Sequence, residues 1–304
     1  TRAGAPAAAR RRGEQLSCAV PIRPREAPVI AICTDSNAQL PPTLIDRYDI
    51  EVVPLSVSID GRDYLEGVDL DADGFYEFFA GGRQPSVATA APSPGRFGVA
   101  YQRLAERGAS AILSVHIGSE LSGTLNAAQI AASTAPVPVR LVDSHAASFI
   151  IGCAVWEAAE ALATGATIEQ AATRAEWVAG ACGNVFVVGT LAFARAGGRL
   201  AGDPAVAAGV PVLRLADGKL ETVGHAATAD DAAVLLADTV AQAGTGLRVG
   251  IADSDPSSVP VADELAGRLA ASSEVREIIR YRVGPSVGVH TGPGTAGAVF
   301  YSTA

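Results

Sequence analysis

The residues that could do chemistry in this chain are small hydroxyls, glycines, one arginine and one histidine. Ser119-Glu120-Leu121-Ser122-Gly123-Thr124 opens a predicted helix. A helix start offers backbone N–H groups and the positive end of the dipole, which suit a carboxylate, and the Ser122 and Thr124 hydroxyls can add to it. Plain N-capping explains the same residues. Thr89 lies in the predicted loop Val87-Ala88-Thr89-Ala90-Ala91-Pro92-Ser93, where an ordinary turn hydroxyl is the simpler account. Arg199 follows Gly197-Gly198, a pair that permits close backbone approach beside a group suited to an anion, to another chain's carboxylate or to a surface salt bridge. His290 stands in the turn-rich run from Gly284 to Gly294, as a donor to a carboxylate, a general base or a structural histidine. His116, His145 and His225 lack such a context and read as structural.

The elements that position these groups alternate. Val29–Cys33, Ala111–Ile117 and Val137–Val142 are apolar runs typical of buried parallel strands, each followed by small polar residues: Asp35-Ser36, Ser119 to Thr124, and Asp143-Ser144. Ligands in open α/β sheets bind beyond those strand ends. Helices are predicted after Pro41-Pro42, over Leu70–Ala80, from Ser93-Pro94 to about Arg107, from Gly123 to about Ser133, and over Ser148–Ala163 and Ile168–Ala181. Ile50–Ile59 reads as β-rich, with a turn at Asp60-Gly61. Val185–Val188 ends the first half. The second half carries strands near Val210–Leu215, Lys219–Val223, Leu247–Ala252, Val275–Arg282 and Gly297–Tyr301, and helices near Asp230–Ala243 and Ser258–Ala271. The pattern predicts an α/β protein of two lobes. The expected divisions are a disordered extension over 1–27, a first lobe over 28–190 and a second over 191–304, whose 284–294 loop returns to the first lobe's loops.

Composition narrows the function. The chain has 304 residues, is 49% hydrophobic and carries a net charge of -9, with no basic stripe in the folded part, which disfavours nucleic-acid binding. No run reaches about 18 charge-free apolar residues, so no stable membrane insertion is expected, and residues 1–27 lack the apolar core of a signal peptide. Cys18, Cys33, Cys153 and Cys182 form no zinc spacing and fit a reduced, cytoplasmic protein. No metal site is expected. A serine hydrolase acting on acyl esters through Ser122 and His290 is the rival reading. Gly-x-Ser-x-Gly is absent, and no third group is evident to orient His290. A nucleotide-binding P-loop is absent too, and Lys219 is the chain's single lysine.

Taken in order, seven pieces resemble the DegV family of bacterial proteins, which includes the fatty-acid-binding subunit of fatty acid kinase. They are Thr34-Asp35-Ser36, Thr89 to Ser93, Ser119 to Thr124, Val142-Asp143-Ser144, Gly197-Gly198-Arg199-Leu200, Asp217-Gly218-Lys219 and Val289-His290-Thr291-Gly292-Pro293-Gly294. The resemblance spans about residues 29–302. It implies two α/β lobes with a long-chain fatty acid between them and no other cofactor. Thr89 and Ser122 would hold the carboxylate, with the Gly123 amide helping and His290 close by. Arg199 would stand near the head group or the kinase-facing surface. The implied role is a non-enzymatic carrier that presents the carboxylate to a kinase subunit for acyl-phosphate formation, with no catalytic residue of its own. Ala90 and Ala91 depart from the family's Thr-Ser-Gln-Pro-Ser loop, and Ala196 replaces the usual lysine before Gly-Gly-Arg.

Overall fold

The computed structural model describes residue 1 and residues 29–189, 209–216 and 219–303. The first lobe is built on four parallel strands in the order β2-β1-β6-β7: β1 (Ile30–Asp35), β2 (Glu51–Val53), β6 (Ala111–His116) and β7 (Val139–Asp143). Side chains alternate across a strand, and the sequence uses both faces. Ile32, Leu113 and Val115 point toward α5 (Phe149–Ala163) and α6 (Ile168–Ala181). Cys33 and Ile112 point toward α3 (Pro94–Glu106) and α4 (Thr124–Ala132). Burial on both faces is why these strands read as unbroken apolar runs.

The second lobe is a mixed sheet in the order β10-β9-β8-β13-β11-β12. Its strands are β8 (Gly183–Val187), β9 (Val210–Ala216), β10 (Lys219–Ala226), β11 (Leu247–Asp253), β12 (Val275–Arg282) and β13 (Ala296–Ser302). Helices α7 (Ala229–Ala241) and α8 (Val259–Ala270) cover one face. The other face meets α5 and α6 again, through Phe149, Cys153, Trp156 and Val178 against Ala252, Tyr281, Val299 and Tyr301. One helical layer thus serves both sheets. A helix buried on two sides must be largely apolar, and α5 is: every residue from Ile151 to Ala159 is buried, and Glu157, the one charged residue among them, is paired with Arg174 and Arg248. Phe149 stacks on Tyr281 with centroids 4.3 Å apart, and a methyl group on Gly250 would stand 2.4 Å from the Phe149 ring. Only glycine fits that crossing.

A third sheet, β4-β3-β5, is small and antiparallel: β3 (Ser56–Ile59), β4 (Arg62–Leu65) and β5 (Val87–Ala90). Asp60 (φ 50°) and Gly61 (φ 82°) turn the β3–β4 hairpin. Beneath it, Val57, Ile59 and Leu70 pack with Phe75 and Tyr76 of α2 (Ala72–Glu77), Phe79, and Val289 of α9 (Pro285–Thr291).

The β-rich run Ile50–Ile59 is two strands in two sheets, because Pro54 between them lacks the N–H a continuous ladder needs. Three other expectations are corrected here. The predicted loop around Thr89 contains β5, in which Thr89 pairs with Val57. The supposed loop 284–294 contains α9, opened by Pro285 and closed by Gly292 at φ 73°. Finally, β8 was expected at the end of the first lobe. It pairs with β13 and β9, so the second sheet begins before residue 190. Among the described residues, no helix is long and apolar enough to cross a membrane.

Candidate functional site

The carboxyl end of β1 runs into a 3₁₀ turn, Ser36–Ala38, capped by Asp35 accepting from the Asn37 N–H at 3.1 Å. The expected ligand-facing role of Asp35 does not survive its surroundings. Asp35 is fully buried, its Oδ2 lies 2.9 Å from Nδ1 of the buried His116 and accepts the Ile117 amide at 3.1 Å. His116 in turn meets Ser114, and Ser114 meets Tyr101, at 2.7 and 3.0 Å. These polar groups satisfy one another inside the core. Asp143 is likewise committed: its Oδ1 accepts the Ser119 and His145 amides at 3.2 and 3.0 Å. Burial pushes the Asp143 carboxyl up, but those hydrogen bonds outweigh it and hold the group below its ordinary value. His145 also pairs with Glu120 at the surface, at 3.3 Å, and the donor atoms of Glu120, Asp143 and His145 lie within 4.8 Å of one another. Hydrogen bonds of His145, from its ring to Glu120 and from its amide to Asp143, account for that grouping.

The hydroxyl cluster behaves differently. Ser122 and Gly123 form the entry to α4, with the Ser122 amide donating to the Gly118 carbonyl at 3.1 Å. Ser122 Oγ lies 2.9 Å from Thr124 Oγ1 and accepts the Thr124 amide at 3.3 Å. Ser122 is half-buried, Thr124 buried and Gly123 exposed. A methyl group on Gly123 would stand 3.9 Å from Ala91 Cβ. The helix entry therefore adjoins the end of β5, where Thr89 sits half-buried. Helix α9, with His290 half-buried near its end, packs on β5, β3 and the 3₁₀ turn. So the α4 entry with Ser122 and Gly123 approaches the residue after the strand of Thr89, and the helix of His290 packs on that same strand from near the far end of the chain. Arg199 lies outside the described residues.

What holds α9 there is a buried polar junction that has no motif in the sequence. Ser286 donates its amide to Glu66 Oε1 at 2.8 Å, and its hydroxyl accepts from Asn37 at 3.1 Å and Gln39 at 3.3 Å. The Gly284 amide donates to Gln39 Oε1, and Ser36 donates its hydroxyl to Glu66 Oε2. A methyl group on Gly284 would collide with the Glu66 and Gln39 oxygens at 2.8 and 2.9 Å. One on Gly288 would meet Phe75 at 2.6 Å. Helix α9 thus sits closer than any side chain at those two positions permits. A cleft of about 590 Å³ opens elsewhere, between α4, β7 and α6, lined by Leu125, Gln129, Arg140, His145 and Glu176. None of the four described candidate residues lines it.

Residues 29–303 match the family model described as "Uncharacterised protein, DegV family". The chain belongs to the DegV family. A DegV domain-containing protein of Streptomyces coelicolor is 36% identical over 278 residues, covering 90% of this chain and 98% of the relative. Among solved structures, the fatty-acid-binding DegV family protein of Thermus thermophilus is 31% identical, with a TM-score of 0.78 over 90% of this chain and 99% of that one. A DegV lipid-binding protein of Thermotoga maritima is 27% identical, with the same TM-score and coverage. The family and the two-lobed α/β fold expected from the motifs are both borne out.

Proposed function

We propose that this DegV protein binds a long-chain fatty acid between its lobes and presents the carboxylate to a fatty acid kinase subunit. The Thr89 and Ser122 hydroxyls hold the carboxylate with help from the Gly123 amide, and His290 stands beside them. The observation that carries this reading is the packing of α9 on β5 beside the approach of the α4 entry to the end of that strand, in a chain similar to proteins that bind fatty acid or lipid. Energetics favour a tail-driven ligand. Burial is worth roughly 0.8 kcal/mol per methylene, so about sixteen carbons gain on the order of 10 kcal/mol gross. Association consumes about 4–15 kcal/mol, which leaves the head-group contacts to set net affinity.

The chemistry of the next step belongs to the partner, whose own ATP and Mg²⁺ would convert the carboxylate to an acyl phosphate. This chain supplies an oriented acid, a buried tail and no catalytic group. Arg199 is assigned to the head group's surroundings or to the kinase-facing surface. Cytoplasmic location follows from that partnership and from the reduced cysteines. The test is extraction of purified protein and mass spectrometry of the extract, followed by calorimetric rebinding of palmitate or oleate to delipidated protein. A near-stoichiometric acyl chain is expected. Absence of any acyl chain together with no binding of C14–C18 acids refutes the reading.

A further inference from the structure

We propose that Glu66 is a positioning residue: it latches α9 to the first lobe and so sets where His290 stands relative to Thr89. The effect on fatty acid rests on the function proposed above; the latch itself does not. Glu66 is 6% exposed and lies in the short connection from β4 to α2. One carboxylate oxygen accepts the Ser286 amide at 2.8 Å and Gln39 Nε2 at 3.4 Å. The other accepts the Ser36 hydroxyl. All three donors are uncharged, and burial raises the Glu66 carboxyl above its ordinary value despite them.

The junction requires an acceptor on both sides. Ser36 Oγ already accepts the Leu55 amide at 3.0 Å, so its own proton must point at Glu66. The Ser286 amide can only donate. A glutamine at this position has one acceptor and one donor end. Placed with its oxygen toward Ser286, it turns its NH₂ on the Ser36 hydroxyl. Placed the other way, it sets two N–H groups against each other. Either orientation leaves a buried donor in conflict while the volume of the side chain stays the same. The bond from Ser286 joins residues 220 positions apart, so its loss weakens the hold of the first lobe on α9.

The test uses the full chain, with Glu66→Gln, His290→Ala and the double variant. Amide hydrogen exchange over 285–291 should accelerate about ten- to hundredfold in Glu66→Gln, the scale of one buried unsatisfied donor. Exchange in β6 and β11 should not change. Oleate affinity should fall about tenfold in Glu66→Gln. In the His290→Ala background the same substitution should cost nothing further, because a residue that acts through His290 has nothing left to position. Wild-type exchange at 285–291, or additive losses of affinity, overturns the proposal. If Glu66→Gln does not fold, Gln39→Leu loosens the junction from the Gly284 side and must give the same direction of change. If wild-type protein binds no oleate, the fatty-acid reading falls, and the exchange measurement still decides the latch.

Discussion

Replacing Arg248 by methionine removes the charge that joins the two lobes through α5. The Arg248 side chain is 6% exposed and lies 2.6 Å from Glu157, 2.9 Å from Glu160 and 2.9 Å from Glu277. Its guanidinium also lies over the Trp156 ring, 4.4 Å from the centroid. Removing one partner of a buried pair costs about 3–5 kcal/mol, mostly because the other charge is stranded. Here the stranding is partial. Glu157 keeps Arg174 at 2.7 Å and the Tyr301 hydroxyl at 3.0 Å, and Glu160 is 29% exposed and keeps the Trp156 N–H. Methionine retains the apolar stem. The expected cost is therefore at the low end, about 3 kcal/mol, or a fall in Tm of about 6 °C for a chain of this size. Urea titration by circular dichroism, beside scanning calorimetry, measures it. Adding Glu160→Gln and Glu277→Gln removes the two carboxylates left without a cation and should recover part of the loss. A cost below about 1 kcal/mol for Arg248→Met, or no recovery in the triple variant, refutes the reasoning.

Thr89→Val keeps the β-branched shape in β5, and Ser122→Ala removes one hydroxyl at the entry to α4. Each should weaken oleate binding about ten- to hundredfold, from about 1.5–3 kcal/mol per hydrogen bond to a charge, and weaken oleyl alcohol much less. Equal losses for acid and alcohol would show that these hydroxyls do not meet the carboxylate. The protein alone should give no Ser122-dependent burst with an activated acyl ester, because Ser122 lies outside a nucleophile elbow. The pH dependence carries a sign. Burial raises the Glu66 carboxyl, so between its ordinary and raised values the folded state binds more protons than the unfolded state. Glu66 therefore adds stability as pH falls through that window, and the gap between wild type and Glu66→Gln should widen toward acid. Asp255 has the opposite sign. Burial raises it, but the Gly294 amide and neighbouring serines outweigh that and lower it, so its contribution is lost only below the ordinary carboxylate range. A gap that stays flat with pH removes Glu66 from this account.

Much of the fold was legible because each element carries local punctuation. Ile168–Ala181 and Val275–Arg282 have the bounds the sequence predicts, the first opened by a Thr167–Gln170 capping box. Two elements that lack such punctuation lie around the site. β5 is four residues long, with Ala88 and Ala90 exposed, so no apolar alternation announces it. Helix α9 is flanked by Gly284, Gly292, Pro293 and Gly294 and has a glycine inside it, which reads as a loop until Pro285 and Gly292 are recognised as its first residue and its stop. Thr89, Ser122, Gly123 and His290 could be named from their motifs. The residues that hold α9 in place could not: Ser36, Gln39, Glu66 and Ser286 meet only in the folded chain, and Glu66 in the sequence looks like any surface acid.

The position of those misread elements has a physical logic. Helices α5 and α6 fix the two large sheets on either side of one apolar layer, so the lobes have little freedom to move apart. The small third sheet lies outside that layer, and α2 and α9 pack against each other and against it. Its attachment to the second lobe runs through hydrogen bonds of Gly284 and Ser286 and through close contact at Gly288, with Val289 as the apolar anchor. Polar junctions of this kind are worth less per residue than the core and open at lower free energy. A ligand whose acid group touches β5 and α4 on one side and α9 on the other would close that junction further. By linkage, opening α9 must then be what weakens the hold on the acid. A double-sheet scaffold with one helix held by polar bonds would suit the carrier role proposed above, in which the tail stays out of water and the head group is given up to a partner.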